Sequence, residues 1–159
     1  MSPQDGRKRV VIEGVKPEID AGRFAAKRVL GDVVRVEADI FTDGHDAIAA
    51  MLLYKHQKET EWFEVPMQFD VNDRWWGEFP VSDLGRYQYT LQAWVDHFET
   101  WRRDLAKRIA AEQDTTVDYL IGAELVEAAV KRAAGADQSM LRDRARLLKS
   151  DIPIADKRA

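Results

Sequence analysis

The chain has 159 residues, enough for one ordinary domain or one domain with an appendage. A hydrophobic fraction of 45% supports a buried core beside 33% charged residues, which excludes a disordered tail. No apolar run approaches the roughly 20 residues a bilayer demands, and the absence of cysteine excludes a disulfide framework, a thiolate zinc site and a cysteine nucleophile.

The formal net charge is −4, with no basic stripe of the kind phosphate neutralisation requires. Arg7-Lys8-Arg9 is a short cluster near one end, and Arg142, Arg144 and Arg146 alternate with acidic or apolar residues as on a solvated helix face. Met1 to Lys8 contains no apolar signal core. These features predict a cytoplasmic protein that meets neither nucleic acid nor membrane.

Up to about Phe98 the chain reads in period two. Val34 to Ile40 alternates apolar with polar, the pattern of a strand with one dry face. Ala47 to Tyr54, Trp62 to Met67 and Trp75 to Pro80 predict further short strands, and Tyr87 to Val95 is an alternating run rich in aromatic and β-branched residues. Turn chemistry separates them at Thr42-Asp43-Gly44, Val71-Asn72-Asp73 and Ser82-Asp83-Leu84-Gly85. Strands at this spacing predict a sandwich rather than βαβ units. Gly85 two residues before an aromatic also resembles a tyrosine corner, with Tyr87 or Tyr89 as the pinning side chain.

From Phe98 onward the period becomes helical. Trp101, Leu105 and Ile109 recur at i, i+4 within Thr100 to Ala110. Thr115 or Thr116 is placed to cap a second helix, with Asp118 near its positive end. Val117, Leu120, Ile121, Leu125 and Ala129 fall on one side of that helix, and Tyr119, Ala123, Val126 and Val130 on an adjacent side. Glu124, Glu127 and Lys131 form the polar strip, with Glu127 and Lys131 at pairing distance. An apolar arc that wide exceeds the need of one packing partner. Asp137 predicts the cap of a third helix over 139–149, and Pro153 ends helix formation. The expected organisation is mainly β with an α-helical extension: a β-sandwich over 8–98, a helical insert of two to three helices over 99–150, and 151–159 as a closing strand cut short.

No constellation for catalysis emerges. The nine glycines are scattered rather than gathered in a phosphate loop, and no serine sits in a nucleophile elbow. His45, His56 and His97 include no metal-binding pair; Asp96 and His97, read as strand neighbours, point to opposite faces. No pair among the 28 acidic residues carries a local signature of glycoside chemistry. No catalytic, cofactor-binding or metal-ligating residue is therefore assigned, and no cofactor is expected. Five tryptophans are many for this length. Of the adjacent Trp75 and Trp76 one should face outward, as a sugar-stacking platform or as part of a domain or subunit contact.

Three stretches together resemble a known family. Arg9 to Glu13 followed by Lys16-Pro17-Glu18-Ile19-Asp20, Gly22-Arg23-Phe24 and Lys27-Arg28 is similar to the opening of bacterial maltosyltransferases of the α-amylase-like class. Glu37 to Asp46 matches a second stretch, and Gly85-Arg86-Tyr87 continuing to Ala93 through Arg102 a third. The resemblance implies an immunoglobulin-like sandwich with a helical insert, preceding a catalytic (β/α)-barrel that lies beyond Ala159. It also implies a homodimer that transfers maltosyl units from maltose-1-phosphate to α-1,4-glucan without metal or redox cofactor. The expected role is a non-catalytic assembly module whose partners are its own barrel and a second subunit, with Tyr119, Ala123, Val126 and Val130 at the subunit contact. The alternative is a carbohydrate-binding sandwich that stacks α-glucan on Trp75 or Trp76.

Overall fold

The computed structural model describes residues 10–150, so the Arg7-Lys8-Arg9 cluster, Pro153 and the 151–159 segment lie outside the described residues. The chain divides between Val95 and Asp96 into two units. The first is built from β1 (Val10–Lys16), β2 (Val33–Thr42), β3 (Ile48–His56), β4 (Phe63–Pro66), β5 (Gln68–Phe69), β6 (Arg74–Pro80) and β7 (Tyr87–Val95). They form two antiparallel sheets, ordered β1-β2-β6-β5 and β4-β3-β7. The whole is mainly β with a helical extension.

Alternation makes the core. Val34, Val36, Ala38 and Ile40 of β2 turn inward, and Ala50, Leu52 and Phe79 meet them from β3 and β6. Each Val, Ile, Leu or Phe among them contributes about 1.5–3 kcal/mol relative to exposure. A one-residue slip of β2 would turn all four of its core residues to water, which holds the register Val36↔Gly77 and Ala38↔Trp75.

Two features depart from the expected strands. Val10–Lys16 pairs with β2 although Gly14 interrupts its alternation, and the register shifts between Glu13 and Lys16. The run Trp62 to Met67 is not one strand but a sheet switch. Phe63–Pro66 pairs with β3, buried Met67 donates its N–H to the Ala50 carbonyl at 2.9 Å, and Gln68–Phe69 joins β6 in the other sheet.

The corner residue is Tyr87. Its hydroxyl accepts the backbone N–H groups of Ser82 at 3.2 Å and Asp83 at 3.0 Å, pinning the entry into β7. Tyr89 instead donates its hydroxyl to the Pro17 carbonyl. Tyr87→Phe should cost only about 1 kcal/mol, because the two released amides are exposed and water replaces the lost acceptor. Urea unfolding followed by near-ultraviolet circular dichroism measures it, and a loss several times larger would mean that the hydroxyl does more than satisfy the turn.

The second unit contains α1 (His97–Ala110), α2 (Thr116–Val130) and α3 (Gly135–Lys149). α1 begins before the predicted Thr100 because Asp96 caps it, its carboxylate accepting the Glu99 N–H at 2.9 Å. Thr115 is the N-cap residue of α2, as expected, but its hydroxyl makes no capping bond; the carboxylate that reaches the first turn is that of Asp114. Its carboxylate accepts the Thr116 N–H at 2.9 Å and the Thr116 hydroxyl at 2.7 Å, and these bonds hold Asp114 below the ordinary carboxylate pKa. α3 starts ahead of Asp137, which sits in its first turn instead of capping it.

Candidate functional site

α2 is apolar nearly all round, and only one of its two stripes turns inward. Tyr119, Ala123 and Val126 are buried and Val130 is half-buried. Of the four residues expected at the subunit contact, Tyr119, Ala123 and Val126 are thus covered within the folded chain by their own neighbours. The adjacent stripe stays wet, with Val117 66%, Leu120 46% and Ile121 46% exposed.

Gly122 decides which stripe is inner. It shares the buried side with Tyr119 and Val126, and a Cβ placed on it would stand 2.1 Å from Cζ2 of Trp101. The indole occupies that space and donates Nε1–H to the Asp118 carbonyl at 2.7 Å. The Asp118 carboxylate pairs with Arg108 at 3.3 Å, a second tie between α1 and α2. Glu127 pairs with Lys149 of α3 at 2.7 Å rather than with Lys131 one turn along, so that charge also serves helix packing. Two small neighbours, Gly122 and Ala123, between Tyr119 and Val126 were the sequence signal for close approach.

The adjacent tryptophans separate as the strand period requires. Trp75 turns inward against the core and edge-on to Phe69, and its Nε1–H donates to the Ile40 carbonyl at 3.2 Å. That placement leaves it half-buried, with its indole N–H already engaged. Trp76 turns to the other face, but the Arg35 guanidinium lies 4.1 Å above its ring, and Arg35 is itself held by Glu37 at 2.7 Å. Neither is a bare platform.

Among the described residues no group of three or more His, Asp or Glu side chains converges as metal ligands. His56 is buried, accepts the Lys58 N–H on Nδ1 and directs Nε2 at the Leu84 carbonyl, both at 3.3 Å, which assigns the proton to Nε2 and a role in the Gly85 corner. Asp96 acts as a helix cap and His97 opens α1, so that neighbouring pair is not an acid/base couple. Glu99 lies below the ordinary carboxylate pKa because Arg102 hydrogen-bonds it, a solvated pair on the surface of α1.

An open cleft remains in the sandwich unit, bordered by residues 17–28, β1 and β7 and reaching the core side chains Val34, Phe79 and Val81. Its lining includes Glu18, Phe24, Arg28, Trp62, Gln88 and Tyr89. The 17–28 segment closes on itself through an Ile19↔Phe24 bridge and is tied to β7 by the Tyr89 hydroxyl on Pro17. No sequence motif marks this cleft, because its walls come from stretches far apart in the chain.

A family model described as alpha-1,4-glucan:maltose-1-phosphate maltosyltransferase, domain N/S, matches residues 8–159. The chain is 54% identical over 139 residues to the alpha-1,4-glucan:maltose-1-phosphate maltosyltransferase of Chlorobaculum tepidum, an alignment covering 87% of this chain and 21% of that protein. Proteins of the same name in Myxococcus xanthus and Cereibacter sphaeroides are 48% and 45% identical, over 81% and 86% of this chain and 20% of each relative. The chain thus spans about a fifth of the length of these curated relatives. With a family model matched along nearly its whole length, the chain belongs to the N/S-domain family of α-1,4-glucan:maltose-1-phosphate maltosyltransferases.

Proposed function

We propose that this chain is the non-catalytic assembly module of a cytoplasmic maltosyltransferase, and that the exposed stripe of α2 joins two copies. Val117, Leu120 and Ile121 carry this reading. Three large apolar side chains within two turns stay wet on a helix whose other stripe is already buried, and covering them against an identical stripe removes that apolar surface from water. The transfer of maltosyl units from maltose-1-phosphate to α-1,4-glucan then belongs to a barrel domain elsewhere on the parent chain, without metal or redox cofactor. The alignment covers only 21% of the first of these relatives, which leaves ample room for such a domain.

Light scattering across a dilution series should give a dimer that dissociates smoothly. Ile121→Asp should raise the dissociation constant about 30-fold, since a central apolar contact contributes about 2 kcal/mol, while far-ultraviolet circular dichroism stays unchanged. A dimer that survives this substitution removes α2 from the contact. Val126→Asp is no substitute for this test, because it places a charge in the packed interior of the helices.

A further inference from the structure

The two sheets are joined on one side and open on the other. On the joined side the chain itself crosses between them at Met67, from a four-residue β4 that holds Glu64 and Pro66 to a two-residue β5. Such short, interrupted edges offer another strand little to pair with. β1 is blunted too, by Gly14 and by the shifted register between Glu13 and Lys16. β7 is the exception. It pairs with β3 from Ile48↔Val95 to His56↔Tyr87 without a bulge, and among the described residues β3 is its only sheet neighbour. Tyr87 to Val95 contains no charge, proline or glycine, so its free edge is a template for a further strand. We propose that residues 17–28 are a strap that guards this edge, latched by the Tyr89 hydroxyl, and that releasing the strap lets a second copy of the chain pair along β7.

The strap lies along the edge itself. Consecutive residues from Gly85 to Leu91 border the open cleft, with side chains from both faces of the sheet, as a cleft that follows a strand's edge requires. Pro17 to Ile19 and Phe24 to Arg28 form the facing wall. The strap makes its own shape: Phe24 donates its N–H to the Ile19 carbonyl at 3.3 Å, and Arg23 donates its N–H to the Asp20 carbonyl at 3.1 Å. Its attachment is slight. Ile19 and Phe24 stay 46% and 62% exposed, so its largest apolar side chains add little hold. The ends carry it instead. Half-buried Tyr89 donates its hydroxyl to the Pro17 carbonyl at one end, and the Asp32 carboxylate accepts the Val29 N–H at 2.9 Å at the other. A segment closed on itself and tied at two points opens far more readily than the sheet unfolds. A second copy is the partner because two identical edges laid antiparallel are self-complementary.

The test combines hydrogen exchange read by mass spectrometry with light scattering at matched concentrations. In Tyr89→Phe the amides of residues 17–28 should exchange about fivefold faster, the effect of one lost hydrogen bond on an opening equilibrium. The weight-average mass should rise above that of the unaltered chain. The contact proposed for α2 is common to both samples and cancels in the comparison. Adding Thr90→Lys, at an exposed position in the middle of β7, should return the mass to its starting value, because an edge lysine opposes strand pairing. Asp32→Ala frees the other end of the strap from outside the core and should bring the same two changes, which keeps the test open if the Tyr89 variant fails to fold. Unchanged exchange in both variants would overturn the latch. Faster exchange with no rise in mass, or a raised mass that Thr90→Lys leaves in place, would overturn the guarded edge.

Discussion

Replacing Gly122 by Ala should destabilise the helical unit by about 1–2 kcal/mol, against the sign expected for a glycine in mid-helix. Helix propensity alone favours Ala by about 1 kcal/mol. Here the added methyl meets three indole atoms of Trp101, at 2.1, 2.5 and 2.7 Å. The ring has no free path aside, because its Nε1–H is held by the Asp118 carbonyl at 2.7 Å. Overpacking of this kind costs about 1–3 kcal/mol and occasionally more, so the clash outweighs the propensity. Urea unfolding followed by far-ultraviolet circular dichroism measures it. Placed on Trp101→Leu, the same Gly122→Ala change should cost far less, since the smaller side chain leaves the space open. A Gly122→Ala chain as stable as the parent would mean that α1 and α2 do not pack through this indole.

That glycine also explains why the helical unit was only partly legible. Both stripes of α2 are apolar, so periodicity alone does not say which is inner; Tyr119, Ala123 and Val126, read as candidates for the subunit contact, are the ones covered within the chain. Helix existence followed from spacing, whereas the starts of α1 and α3 depend on caps that local reading did not assign. Asp96 reads as the end of a strand until its carboxylate is seen on the Glu99 N–H, and at α2 Thr115 holds the cap position while Asp114, one residue ahead, supplies the side-chain bond.

The sandwich was more legible, because alternation fixes both strand and face. Val34 to Ile40 and Tyr87 to Val95 appear as read, the latter paired along its length with β3. What escaped was information carried by partners distant in the chain. β1 is a strand because β2 offers it an edge, despite Gly14, and the sheet switch at Met67 depends on Ala50 and Trp75 on different strands. The cleft is of the same kind: Glu18, Trp62 and Tyr89 come together only through folding. The tryptophan pair shows the limit from the other side. Period two placed one ring outward, but the Arg35 guanidinium over Trp76 lies outside any local pattern.

Gly85→Ala is the largest effect expected in the sandwich unit, a loss of about 3–4 kcal/mol. Two causes add there. Gly85 has φ +146°, a backbone conformation that side-chain-bearing residues rarely adopt, and such strain costs about 1–3 kcal/mol. A Cβ would also stand 2.4 Å from Nε2 of His56 and 2.8 Å from Nε2 of Gln57. The glutamine amide is the end of a flexible side chain and moves at little cost. His56 does not, because it is buried, stands edge-on to the Tyr87 ring at 4.9 Å, and is held between the Lys58 N–H and the Leu84 carbonyl. Pushing the imidazole away would break the contact that closes the turn over residues 82–85, and the Tyr87 hydroxyl bonds to Ser82 and Asp83 would loosen with it. Urea unfolding followed by near-ultraviolet signals separates the two causes. On a His56→Ala background the clash is gone and only the backbone strain remains, so Gly85→Ala should cost about 1–3 kcal/mol there. If the cost is the same on both backgrounds, backbone conformation alone governs the corner and His56 is a spectator.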